Sequence, residues 1–200
     1  TKVIVHGTYT TSTANTWFEV QSSTGQICYY GNTTGARQSY TAGNSPRIYA
    51  WYLDYVEDPL GNYMNYTYNK WSYCMYPNTI MYGNNKNGST GLQNTVTFSY
   101  ETRSNDPQLF VIEGVKGTMD RRLKTIISKT GSSVYRVYDL QYNTTGDASG
   151  TKYSRLTSIT ERDGAGDVMQ PVKLNWFYLP SLYSIPVSPQ VNAASVYPAV

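Results

Sequence analysis

The feature that most constrains this chain is a rhythm in its side chains. Short runs in which aromatic and β-branched residues alternate with polar ones are each closed within a few residues by glycine, asparagine or proline. A period of two puts alternate side chains on opposite faces of a pleated strand, whereas a helix needs apolar residues three and four apart. Residues 16–21 alternate, Ser22-Ser23-Thr24-Gly25 supplies turn chemistry, and residues 26–30 resume the pattern. A second unit runs over residues 47–56, through Asp58-Pro59-Leu60-Gly61-Asn62, and out over residues 63–68. Pro59 suits the first inner position of a turn and Gly61 a place of positive φ. Asp58, Gly61 and Asn62 are therefore predicted as a structural turn joining the strand that holds Trp51 to the strand that holds Tyr66.

Further strands are predicted at residues 80–82, 95–100, 123–128, 134–142, 155–161 and 173–177, with Asn- and Gly-rich connections between them. The 21 tyrosines and the low share of charged residues, 14%, suit half-buried sheet surfaces. No helical pattern links the strands, so the predicted fold class is all-β, a sheet-rich antiparallel meander rather than βαβ units. From Leu179 onward Pro180, Pro186, Pro189 and Pro198 interrupt the chain, which predicts an extended Pro-rich C-terminal tail. The division is a β-rich domain over residues 1–178 and a tail or linker over residues 179–200.

The formal charge of +3 is scattered, with only Arg121, Arg122 and Lys124 grouped, which is too weak for a nucleic-acid surface. No apolar run approaches the ~20 residues of a membrane span. The first six residues lack the apolar region of a signal peptide, and the absence of an initial Met points to a fragment or a processed piece. Asn-x-Ser/Thr sequons begin at Asn32, Asn65, Asn87 and Asn143 and would matter only in a eukaryotic host.

The run Trp17-Phe18-Glu19-Val20, Gly25-Gln26-Ile27, then Tyr30-Gly31-Asn32-Thr33-Thr34-Gly35-Ala36-Arg37-Gln38-Ser39 resembles the SpvB-type N-terminal domain of bacterial toxins. The same family order continues in Trp51 to Val56, Gly61-Asn62, Asn65-Tyr66-Thr67-Tyr68 and Tyr82-Gly83-Asn84. It is carried further by Val96 to Glu101 with Asp106-Pro107, Arg121 to Ile126, Tyr138 to Tyr142 and Ser154 to Glu161. The resemblance, to SpvB/TcaC-type proteins and the related YD/Rhs-repeat shells, covers residues 16 to 178. It implies a non-enzymatic structural module of a secreted or extracellular toxin-like protein, part of a β shell that encloses or delivers an effector. The implied partners are other β segments of the same large protein, toxin-complex subunits and an enclosed effector.

The residues themselves offer little catalytic chemistry. His6 is the sole histidine and sits where fraying is expected, and no P-loop, Gly-x-Ser-x-Gly elbow or dinucleotide fingerprint occurs. No catalytic, cofactor-binding or metal-binding residue is assigned. Two acidic groups, Asp54, Glu57 and Asp58, and Glu161, Asp163 and Asp167, could hold calcium, but turn-forming carboxylates are the simpler reading. Cys28 and Cys74 can form at most one disulfide; a bridge and two small buried side chains both stay open. The tyrosines suggest an alternative function, an extracellular adhesion or carbohydrate-binding module that stacks sugars on exposed rings. Against it, Tyr49, Trp51, Leu53 and Tyr55 share a face, as Tyr66 and Tyr68 do, which is the spacing of a cross-strand ladder.

Overall fold

The computed structural model describes residues 1–8, 15–42, 45–88, 91, 93–112, 114–143 and 153–176. The tail predicted over residues 179–200 lies outside the described residues. Among the described residues fifteen strands run in chain order: β1 (Lys2–His6), β2 (Trp17–Gln21), β3 (Ile27–Tyr30), β4 (Arg37–Ala42), β5 (Ser45–Trp51), β6 (Leu53–Glu57), β7 (Asn62–Trp71) and β8 (Cys74–Asn85), then β9 (Asn94–Thr102), β10 (Gln108–Ile112), β11 (Val115–Met119), β12 (Arg121–Thr130), β13 (Ser133–Asn143), β14 (Arg155–Asp163) and β15 (Val172–Lys173). The helical content among the described residues is one 3-10 turn, Thr34–Ala36. The fold is all-β, as the alternation predicts.

Eleven strands form one antiparallel sheet in the order β1-β2-β3-β6-β7-β8-β9-β12-β13-β14-β15. It is a meander with two interruptions. The hairpins β4–β5 and β10–β11 leave the sheet, so β3 pairs with β6 and β9 with β12.

This corrects the reading of residues 47–56 as a single strand. The run breaks at Tyr52, whose C=O accepts from Gly31 N–H at 2.8 Å and whose N–H donates to Ala36 C=O at 2.8 Å. Trp51 therefore ends β5 and pairs with Arg37, while the strand that the Asp58 turn joins to β7 begins at Leu53. Aromatic alternation continues through the break, so period alone cannot reveal it.

The core lies where the two hairpins meet the sheet. Among the described residues its buried apolar side chains are Ala36, Tyr40, Ile48, Cys74 and Tyr76, and none of the large side chains is fully enclosed. Trp71, Tyr76 and Tyr100 pack mutually at centroid distances of 5.2–5.8 Å, and the Arg121 guanidinium lies 5.4 Å from the Trp71 ring. Within the second hairpin the Phe110 ring covers Gly117, its cross-strand partner, so closely that a Cβ there would fall 2.0 Å from the ring edge. Glycine is what lets that ring lie flat on the backbone.

The β7–β8 connection is a two-residue loop, Ser72-Tyr73, with φ of +46° and +63°. Left-handed backbone at both positions is normally supplied by Asn-Gly or Asp-Gly, because most side chains are strained there. Here the hairpins hold it. Thr118 N–H donates to Ser72 C=O at 3.1 Å from the second hairpin, and Tyr49 OH donates to Tyr73 C=O at 2.8 Å from the first.

Candidate functional site

On one face of the sheet the pleat lines up a row of aromatic rings across five strands. His6 on β1 stacks on Trp17 on β2 at 3.9 Å, and Trp17 meets Tyr29 on β3 edge-on at 5.1 Å. Tyr29 then stacks on Tyr55 on β6 at 4.9 Å, and Tyr55 on Tyr63 on β7 at 5.6 Å. The Tyr29–Tyr55 separation matches the spacing between neighbouring strands, as expected for rings that stand on the sheet and stack along the hydrogen-bonding direction. Their faces are occupied by one another. A sugar stacks on a free ring face, so this arrangement favours the ladder over the carbohydrate platform.

Polar groups beside the row are also occupied. His6 Nε2 lies 2.9 Å from Glu19 Oε2, and Gln21 Nε2 donates to Glu19 Oε1 at 2.6 Å. Tyr55 OH donates to Glu57 Oε2 at 2.8 Å, Lys86 pairs with Glu57 Oε1, and Asn84 Nδ2 donates to Tyr63 OH at 2.8 Å. The bond from Lys86 is the main reason that Glu57 ionises below its ordinary range despite burial. Burial, with the hydrogen bond to Glu57 next, pushes the Tyr55 phenol far up. One side chain is held charged and its neighbour held neutral, which leaves neither poised to exchange a proton near neutral pH.

His6 is the plainest departure from the sequence reading. The frayed terminus expected there is a paired strand, with Lys2 to His6 in register against Gln21 to Trp17. The signal that could have found it is the alternation of Val3 and Val5 with Lys2, Ile4 and His6 just before an aromatic strand.

The Asp58 turn is built from its own side chain. Asp58 Oδ1 accepts from Leu60 N–H and Asn62 N–H, both at 2.9 Å, and Asn62 Nδ2 donates to Oδ2 at 2.7 Å. Gly61 has φ +84°, and an added Cβ would lie 3.1 Å from Lys86 Cγ and 3.3 Å from Asn85 Oδ1. The turn feeds β6 into β7 with Glu57 opposite Tyr63, Val56 opposite Met64 and Tyr55 opposite Asn65. That register brings Tyr63 against Tyr55 in the row.

The calcium candidates do not converge. Asp54 and Glu57 are three residues apart on a strand and so point to opposite faces, and Asp58 is spent on its turn. Asp163 Oδ1 accepts from Ala165 and Asp167 N–H groups at 2.9 Å, and Glu161 pairs with Arg136 at 2.8 Å. Among the described residues no three His, Cys, Asp or Glu side chains are placed to share a metal ion. Both thiols are free. Cys28 on β3 and Cys74 on β8 are three strand spacings apart, about 14 Å. The register puts Cys28 level with Val56, Met64 and Tyr82, eight residues along β8 from Cys74. A bridge, left open by the sequence, is ruled out by this geometry because Cα atoms must lie within about 7 Å.

A polar cluster that sequence reasoning missed ties the start of β14 to the loop before β10. Asp106, 7% exposed, accepts from Arg103 Nη2 at 2.7 Å and from Ser154 N–H and Oγ at 2.6 and 2.7 Å. Arg122 Nη1 donates to the same Ser154 hydroxyl at 2.6 Å and its Nε to Glu101 at 2.6 Å. Burial raises the Asp106 carboxyl, but its bonds from Arg103 and Ser154 outweigh burial and hold it at about 2. Only the Asp-Pro pair hinted at a turn here; the partner 48 residues away left no local trace.

Several exposed apolar side chains lie at the margins of the sheet. The outer edge of β1 has no strand partner among the described residues, and Val3 and Val5 are 59% and 61% exposed. At the other margin β15 is two residues long, with Val168, Val172 and Trp176 exposed. No described helix is long and apolar enough to cross a membrane.

Residues 2–75 match the model of the SpvB family, described as Salmonella virulence plasmid 65kDa B protein. No curated protein matches the chain. Among solved structures, the N-terminal domain of the effector protein SpvB from Salmonella typhimurium strain LT2 superposes with a TM-score of 0.58 at 15% identity, covering 76% of this chain and 62% of that one. TcdB2-TccC3 gives 0.60 at 15% identity, covering 84% of this chain and 11% of that one. The Photorhabdus luminescens Tc holotoxin pore gives 0.59 at 16% identity over 81% of this chain and 10% of that one. The resemblance read from the residues is borne out: the N-terminal part carries the SpvB pattern, and most of the chain shares the fold of SpvB and Tc toxin domains. The chain spans under two thirds of the SpvB domain and about a tenth of the Tc chains.

Proposed function

We propose that this chain is a non-enzymatic wall section of a larger secreted toxin-like protein, extended at its sheet margins by neighbouring β segments and helping to enclose or deliver an effector. The observation that carries the proposal is the margin of the eleven-stranded sheet at β1, which has no strand partner among the described residues. Natural sheets blunt an exposed edge with charge, proline or a bulge, because unpaired N–H and C=O groups recruit further strands. β1 carries one exposed charge, Lys2 at its start, but beyond it presents two exposed valines and a regular ladder to β2, with no proline and no bulge. The small core supports the same reading, since a sheet of this width with few enclosed side chains gains stability when further layers or strands cover it. Likeness to about a tenth of each Tc chain fits a piece of a much longer wall.

The test is hydrogen exchange read by mass spectrometry on this chain alone and on the complete gene product that contains it. Alternate β1 amides point away from β2. They should exchange quickly in the isolated chain and be protected in the complete product. Equal, fast exchange of residues 2–6 in both would refute the wall reading.

A further inference from the structure

We propose that the opening between β6 and β7 is a binding site for a cationic nitrogen group, an alkylammonium or a guanidinium. The two strands are laddered only from Glu57 opposite Tyr63 to Tyr55 opposite Asn65. Beyond that point they part, and β7 runs on to Trp71 with β8 as its ladder partner. The parting leaves a cavity of about 420 Å³ lined by Thr33, Asp54, Asn65, Tyr66, Tyr68 and Met81. Its volume lies within the range of small-ligand pockets and leaves ample room for a side-chain-sized group.

Asp54 carries the inference. It is 4% exposed, its Oδ2 accepts one hydrogen bond, from Thr33 N–H at 2.5 Å, and its Oδ1 has no protein partner. A buried carboxylate with half its acceptor capacity unused is costly, and the cost falls when a donor of opposite charge arrives. Lys70, also on β7, does not provide it, because its ammonium is engaged by the Thr34 and Arg37 carbonyls at 3.0 and 2.7 Å.

The other walls suit a cation. Tyr68 spends its hydroxyl on Leu53 C=O at 2.6 Å, so what remains to a guest is its ring. Tyr66 OH makes only a 3.9 Å contact to Met64 Sδ, so its hydroxyl and ring stay available to a guest, and Oδ1, shielded from solvent, is reached by a small displacement of the walls. A carboxylate beside aromatic rings favours ammonium and guanidinium over neutral groups, through ion pairing and cation–π attraction together. The shared chemistry can come from a Lys or Arg side chain of a protein segment or from a free amine. The site does not depend on the wall reading.

The test is an NMR titration of the chain with n-butylammonium, methylguanidinium and the peptide Gly-Lys-Gly, with the neutral norleucine analogue of that peptide as control. Saturable shifts at the Thr33, Tyr66 and Tyr68 amides are expected for the cations and not for the control. Asp54→Asn keeps an acceptor for Thr33 and should weaken binding at least tenfold; Tyr66→Leu, which leaves the carboxylate untouched, should weaken it severalfold. Equal response to the amine and the peptide assigns the site to the nitrogen group alone, and response to the peptide only assigns it to a protein segment. The proposal is overturned if no cation gives saturable shifts at about 10 mM, where a millimolar site would be largely filled. It is equally overturned if binding survives in both variants, or if the neutral peptide binds as well.

Discussion

Replacing Asp106 with Asn tests the polar cluster that fastens β14 to the loop before β10. The native carboxyl sits at about 2 against an ordinary 3.8. That difference corresponds to about 2 kcal/mol favouring the native state while the group is ionised. The sign follows from the lowered value. Above about pH 5 both native and unfolded chains carry the charge and the contribution is complete. Between about pH 5 and 2 the unfolded chain takes up the proton first, so the contribution drains away as pH falls, and it is gone by about pH 1. Asn keeps the shape but removes the charge that Arg103 and Ser154 bind. Urea unfolding of both proteins at a series of pH values should therefore show the variant about 2 kcal/mol less stable at pH 6, with the gap closing as pH approaches 2. Other carboxylates titrate in both proteins and cancel in the difference. A gap that stays constant from pH 6 to pH 2 would refute the assignment.

Gly61→Val should lower the urea midpoint by the equivalent of about 1–3 kcal/mol, because a β-branched residue is forced to φ +84° against Lys86 and Asn85; an unchanged midpoint means the turn does not govern the β6–β7 register. His6→Ala, which the frayed-terminus reading expected to be silent, should cost about 1 kcal/mol through the lost Trp17 stack. It should also speed amide exchange in β1, and a variant indistinguishable from the parent in both measurements would restore the frayed terminus.

The strands were legible where alternation and turn chemistry coincide. Gly25 and Gly61 mark hairpins whose strands pair as the spacing implies. The sequence was silent where tertiary contacts replace local signals. Tyr52 leaves the ladder because Gly31 and Ala36 take its backbone groups, and no residue type announces that exchange. The β10–β11 hairpin was missed because the connection lacks a long alternating run, and its Phe110-on-Gly117 packing is visible only after the strands are paired. The aromatic row was half legible. Same-face spacing within one strand can be counted, but which strand lies beside it depends on the two hairpin excursions. Asp54 stands in an acidic run, yet its acidic neighbours in sequence serve other faces and the groups around it come from β7 and the segment of the 3-10 turn.

The Ser72-Tyr73 loop sets an order of events. Two residues with left-handed backbone form a poor nucleus on their own, costing on the order of 1–3 kcal/mol each before any long-range contact repays it. Their clamps come from Tyr49, 24 residues earlier, and Thr118, 46 residues later. The longest strand pair of the sheet thus has a tip that closes late, after both flanking hairpins have formed and docked. Its ladder is expected to start from the opposite end, where Asn62 and Asn85 meet beside the Asp58 turn. Folding of this chain should accordingly run along β7 and β8 from the Asp58 end toward Tyr73, and pulse-labelling exchange that protects the Tyr73 end first would refute that direction.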